Sequence, residues 1–350
     1  MKRLSSWIAV FAVVLVSACG GGGGSDTSPP VPPPSNVSPL TGTYAAVSMG
    51  GYFDMTLDIE AGTLKFAHPD IATTRATSVS LGSMKIDADG AYVFPTGFTV
   101  AGKALTVRLY RVDDKTLTGV ILASTNGRQS LTPVIATRAP IVTASDLDGN
   151  WNAVTYDCTY DQAYTTCEFP HGNGGSFGVN NLASTYCKKN VGMSACAPAD
   201  IVQDVSLPAS SGGGRYSFTD TGYTSVLQAF TVAGQKVLVS QFRDVSDPKS
   251  PYVGMSLAMP EATAVTSQFE GSWRAATSVG GTGTATVAAT DFTANIDGLS
   301  AFTGTIAYNA RWSGMSRMNL VGQPTVADFV TNGKLALIAN KSGAFLLSRE

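Results

Sequence analysis

Only two histidines, His68 and His171, occur in 350 residues. Catalysis or metal binding through His therefore has almost no material to work with. Charge is sparse too: Asp, Glu, Lys and Arg make up 14% of the chain, against roughly a quarter in average soluble proteins. The 23 basic residues nearly balance the 25 acidic ones. A near-neutral chain without basic clusters has no electrostatic grip on nucleic acid or anionic lipid, so no nucleic-acid partner is expected. No Cys-x-x-Cys pair occurs, which removes the usual zinc spacing, and no metal or other cofactor is expected. Apolar runs are short. The one notable stretch, Trp7 to Val16, is ten residues long, whereas a helix needs about twenty to cross a bilayer. Helical periodicity is nearly absent. Gly, Ser, Thr, Ala and Val fill the chain instead, a composition that suits strands and tight turns.

The beginning of the chain reads as an export signal. Lys2 and Arg3 precede the short apolar core, and the small residues Ser17 and Ala18 precede Cys19. Val16-Ser17-Ala18-Cys19 resembles the lipobox of bacterial lipoproteins. That resemblance implies removal of residues 1–18, a diacylglyceryl group on the Cys19 thiol and acylation of the new amino group. Several acyl chains anchor a protein to the membrane effectively for good. Gly20 stands where such lipoproteins carry Asp for inner-membrane retention, so the resemblance implies the outer membrane. Residues 19–39 then form a tether, its Gly20–Gly24 half flexible and its Pro29–Pro34 half extended. Stretched fully, about twenty residues reach at most ~65 Å.

Three later segments begin alike: Leu40-Thr41-Gly42-Thr43-Tyr44, Leu147-Asp148-Gly149-Asn150-Trp151 and Phe269-Glu270-Gly271-Ser272-Trp273. A second echo occurs in each, at Phe98 to Lys103, Phe230 to Gln235 and Phe329 to Lys334. The interval from opening aromatic to echo Phe is 54 residues in the first segment, 56 in the third and 79 in the second. Two patterns in one order mark internal repetition. After each echo, runs with alternating apolar residues flank a polar turn: Asp113-Asp114-Lys115, Ser246-Asp247-Pro248-Lys249 and Asn340-Lys341-Ser342-Gly343. Ile86 to Tyr92 reads as a further hairpin. The expectation is an all-β chain of three tandem antiparallel modules, small barrels or curled meanders, over residues 40–139, 140–261 and 262–350. The Gly-x-aromatic opener resembles the first strand of lipocalin-like barrels. A single larger sandwich sharing strands between modules is the rival.

The extra length of the second module coincides with Cys158, Cys167, Cys187 and Cys196. Four cysteines in an exported chain read as two disulfides with three possible connectivities. Equal spacing favours Cys158–Cys167 and Cys187–Cys196. Tyr156, Tyr160, Tyr164, Phe169, Phe177 and Tyr186 crowd the same insert. Tyr-rich stapled loops make good contact surfaces, because Tyr offers large area at low entropy cost. The rival reading is that the disulfides merely stabilise a long loop and the aromatics cover the module's end.

Two motifs fail on context. Gly174-Gly175-Ser176-Phe177-Gly178 matches the nucleophile elbow of hydrolases, but neither a helix nor a later His comes after it. Asp146 to Asn150 starts like a calcium loop without its closing Glu, and reads as a turn. No catalytic residue emerges. The functional expectation is a membrane-anchored, non-enzymatic envelope protein that binds a protein or small molecule through the second module. The rival expectations are an envelope glycan- or peptide-acting enzyme with carboxylates between modules, and a structural spacer.

Overall fold

Alternating apolar residues bounded by Gly, Asp and Asn become hairpins throughout this chain. The computed structural model describes residues 38–67, 79–100, 103–125, 128–160, 167–208, 213–220, 223–244, 246–247, 249–323 and 325–350. The signal segment, Cys19, most of the tether, His68 and Tyr164 lie outside these residues. Among the described residues the fold is all-β, with three antiparallel sheets and no strand shared between them. The first sheet is a nine-stranded meander from Gly42–Ser48 to Arg128–Thr137, whose last strand returns to pair with the first. It curls without closing between Val79–Leu81 and Lys85–Ile86. The second has eight strands, from Gly149–Tyr160 to Tyr252–Pro260, and stays open between Ile201–Ser206 and Arg215–Asp220. The third, from Gly271–Thr277 to Gly343–Ser348, closes into an eight-stranded barrel.

The three openers do the same job. Tyr44 Oη donates to the Leu40 carbonyl at 2.6 Å, Trp151 Nε1 to Leu147 at 3.0 Å and Trp273 Nε1 to Phe269 at 2.8 Å. Each ring is buried, and its polar atom is satisfied by the carbonyl four residues back. The second echo is less uniform. It marks a hairpin in every sheet, but three strands run from that hairpin's turn to the end of the first sheet and two in the others. Phe329 sits inside its barrel, Phe230 packs between sheets and Phe98 is largely exposed. Period-two patterns make one hairpin look like another, and the matching interval of the first and third segments joins non-equivalent turns.

Each sheet encloses its own apolar cluster. A further cluster is built from the outer faces of all three. Val47, Val120 and Ile135 of the first sheet meet Val154, Val239 and Leu257 of the second and Val330, Leu337 and Leu346 of the third. Strands facing this junction are buried on both sides, as in Leu335–Asn340 and Tyr252–Pro260. Peripheral strands such as Asp291–Ile296 alternate between buried and exposed. Polar clasps tie the junction. Thr118 and Ser348 hydroxyls meet at 2.5 Å, and Arg215 reaches the Phe53 carbonyl and Asp54. Residues 38–350 thus form one compact unit.

Candidate functional site

The interiors differ in how they are filled. Inside the third barrel the Phe269 ring meets Trp273 at 5.0 Å and Phe329 at 4.9 Å between centres, and Phe302 meets Phe345 at 5.1 Å. The first sheet wraps Tyr44, Phe53, Met55, Phe66 and Phe94, all buried. In the second sheet the apolar cluster occupies one end, around Trp151, Tyr216, Leu238 and Ala258.

Beyond that end, strand register sets the lining, because alternate residues of a strand share a face. Thr155 stands level with Asn173 and Ser256, and Ser256 with Ser240. The next level holds His171, Asp157, Gly254 and Phe242. The outermost holds Phe169, Thr159, Tyr252 and Asp244, whose carboxylate accepts from the Ser246 amide and hydroxyl. On strand Cys167–Asn180 the inward residues Phe169, His171, Asn173 and Gly175 are exposed. The concave face of this half-barrel is therefore open to solvent along this strand, with Asp157 and Ser256 buried beside it, and small polar groups line it between rings.

Asp157 is its electrostatic centre. Its side chain is only 5% exposed. Burial pushes the carboxyl above the ordinary Asp range, opposed by a hydrogen bond from Tyr252 and by His171. The His171 Nδ1 atom lies 3.5 Å from Asp157 Oδ2. Gly254 makes room beside it, since a Cβ there would come within 2.2 Å of the Phe242 ring. Phe242 and Tyr252 stack with centres 5.5 Å apart, giving an aromatic platform next to the carboxylate.

The insert aromatics divide between two faces. Phe169, Phe177 and Tyr186 point to the concave side; Phe177 stacks on Trp151 at 6.5 Å and pairs in register with Tyr186. Tyr156 points the other way and is buried in the junction, with Ser278 bonded to its hydroxyl and burial raising its pKa. Only 6% of it is exposed. Tyr160 comes after a bulge on that same outer side and is half-buried.

Both cysteine pairs are bonded as the spacing favours, Cys158–Cys167 and Cys187–Cys196. They serve different ends. The first bond joins Cys158, next to Asp157 in the strand but on its outer side, to Cys167 at the start of the neighbouring strand. The second closes a loop docked on the third sheet: Arg311 reaches Asn190 at 2.5 Å, and a Cβ on Gly192 would lie 2.9 Å from Trp312. Glu261 also holds this loop, through the Ser194 amide and hydroxyl.

Among the described residues, pairing of Cys167–Asn180 with Ala183–Cys187 begins only at Phe177. The edge before it is guarded. Asp328 accepts from the Gly174 amide at 2.9 Å and Arg311 donates to the Gly174 carbonyl at 2.6 Å, while Arg311 and Asp328 pair at 2.7 Å. Pro170 stands at an equivalent outward position and lacks a donor, a common protection of strand edges. Ser176 lies within this strand, and its hydroxyl accepts from the Met193 amide at 3.0 Å, so the elbow geometry is absent there. Asp148 accepts from the Asn181 amide at 2.7 Å, beside the short turn Ala144–Leu147. Among the described residues, no three His, Cys, Asp or Glu side chains gather as metal ligands.

The sequence points to the insert but not to Asp157, Asn173, Phe242 or Tyr252. Phe242 and Tyr252 lie far beyond the insert along the chain, and strand pairing alone brings them beside it.

No protein-family model matches this chain, and no curated protein matches it. Among solved structures it is similar to a protein with unknown function from the DUF3598 family of Nostoc punctiforme. The identity is 11%, the match covers 62% of this chain and 92% of that one, and the TM-score is 0.23.

Proposed function

We propose that this chain is a lipid-anchored envelope protein that binds a ligand or partner without transforming it, through the concave face of its second sheet. The observation that carries the reading is the contrast among interiors. Two are filled by their own rings, while the second presents Phe169, His171 and Asn173 to solvent around the buried Asp157. A concave surface with a few convergent polar groups and a perturbed carboxyl is the default place for a ligand. The likeness of Val16 to Cys19 to a lipobox supports anchoring at Cys19, with Gly20 favouring the outer membrane. Lipocalin-like character finds support in the three openers and their satisfied aromatic polar atoms. Binding is favoured over catalysis by the state of the carboxylates. Asp328 is paired with Arg311 and Arg317, which leaves Asp157 without a second acid of suitable character among the described buried residues.

Hydrogen exchange with mass spectrometry tests the reading. The purified protein is incubated with fractionated envelope extract, separately for glycans, lipids and peptides. Slowed exchange confined to residues 152–158 and 167–177 is expected with at least one fraction. Protection confined to the other two sheets would reject the second sheet as the binding surface.

A further inference from the structure

We infer that the concave face of the second sheet takes an oligosaccharide, its ring faces stacked on Phe169 and the Phe242–Tyr252 platform and its hydroxyls bonded to Asp157, His171 and Asn173. The inference rests on the reading of this face as a binding surface and adds the ligand's chemical class.

The lining selects by exclusion as well as by fit. Among the described residues, the levels from Thr155 to Thr159 carry no Lys or Arg in register to neutralise a phosphate, sulfate or carboxylate ligand. Thr155, Asn173, Ser240 and Ser256 form a continuous polar belt, which an acyl chain would have to desolvate without return. A simple cation would compete with His171, already 3.5 Å from the Asp157 carboxylate.

A sugar suits what remains. It has an apolar C–H face for an aromatic ring and a rim of hydroxyls that donate and accept. Asp157 is positioned as an acceptor for such donors, and Asn173 can both donate and accept. The ring at the mouth is ready for contact: Phe169 is 69% exposed. Stacking a ring of this size removes apolar area that otherwise faces water. The face is also elongated. The exposed inward residues run from Phe169 to Gly175, six residues apart, about 20 Å along a strand at ~3.3 Å per residue. That length exceeds a single sugar ring and fits a linked chain.

The test titrates the purified protein with maltohexaose, cellohexaose and chitohexaose by calorimetry, with spermine as the cationic control, and repeats it with two variants. At least one hexasaccharide is expected to bind, with Phe169→Ala weakening it by at least tenfold and Asp157→Asn weakening it as well. Phe169→Ala alters an exposed ring and leaves the fold intact, which circular dichroism checks, and Phe98→Ala in the first sheet should leave binding unchanged. Failure of all three sugars, while envelope extract still protects residues 167–177 from exchange, overturns the saccharide assignment and spares the binding surface. Sugar binding indifferent to Phe169→Ala overturns the assignment of this face. Absence of both sugar binding and protection overturns the two readings together.

Discussion

The guanidinium of Arg349 lies over the ring of Trp273, 4.5 Å from its centre. From there it donates to the carbonyls of Gln268, Glu270 and Gly333, closing the base of the barrel. Arg138 repeats the arrangement over Tyr44 at 4.9 Å, bonding the carbonyls of Thr41 and Asp114. In the second sheet the residue opposite Trp151 is Pro260, and Glu261 after it turns to Ser194. Replacing Arg349 removes both a cation–π contact and donors for several carbonyls. Arg349→Leu is expected to cost about 2 kcal/mol. Urea denaturation monitored by Trp fluorescence measures it, and a change below a few tenths of a kcal/mol would leave the closing role without support.

The junction cluster predicts that the three sheets melt together. Leu257 is fully buried among residues of all three. Leu257→Ala should lower stability by about 2–5 kcal/mol and shift a single calorimetric transition. Separate transitions for the sheets, with just one of them moved, would contradict a shared junction.

Much of this architecture is legible in the sequence, and the reason lies in particular residues. Gly42, Gly149 and Gly271 with their aromatic neighbours announce three strand starts, because each opener places a buried ring whose polar atom is satisfied four residues back. The polar turns at Asp114, Asp247 and Lys341 mark hairpins for local reasons. What the pattern hides is non-local. Continuous runs such as Leu335 to Ala339 and Leu346-Leu347 signal strands buried on both faces, hence the junction, yet a run cannot name its partner. Tyr156 reads as a surface aromatic from composition but falls on the junction face, one residue away from the concave side. The site is likewise a product of register: Asp157 and Gly254 meet only because two distant strands pair.

The two disulfides close loops of equal length, each spanning a sequence separation of nine residues. Chain entropy assigns each about 2–3 kcal/mol. Their surroundings separate them. Replacing Cys187 and Cys196 by Ser should also loosen the docked loop, exposing Trp312 and quickening exchange around Gly192. Replacing Cys158 and Cys167 should leave that region unchanged and quicken exchange near Asp157. Identical exchange patterns in the two double variants would contradict the assignment.

Anchoring makes its own prediction. Cys19→Ser removes the thiol on which the proposed diacylglyceryl transfer depends, and on that proposal the protein is expected in the soluble fraction or as an uncleaved precursor. Intact mass of the membrane-extracted wild type should exceed the chain from residue 19 by the acyl groups. A Cys19→Ser protein that still fractionates with membranes at the wild type's mass would overturn the lipid anchor.

Asp157 supplies a pH signature with a definite sign. Burial raises its carboxyl pKa in the folded state, more than the hydrogen bond from Tyr252 and the neighbouring His171 lower it. Between the unfolded and folded pKa values the native state therefore holds the proton and the unfolded chain does not. Stability from this group is fully present below the unfolded pKa, and it declines as pH rises through the folded one. Asparagine keeps the shape and never ionises, so it avoids that loss. Asp157→Asn should thus gain in Tm on wild type at pH 7, and the advantage should shrink or reverse at pH 3, where the native carboxyl is already neutral. Thermal melts of both proteins across pH 3–8 measure the difference. An advantage that instead grows toward acid would mean the ionised carboxylate is the form the fold stabilises, and the desolvated character assigned to Asp157 would have to be abandoned.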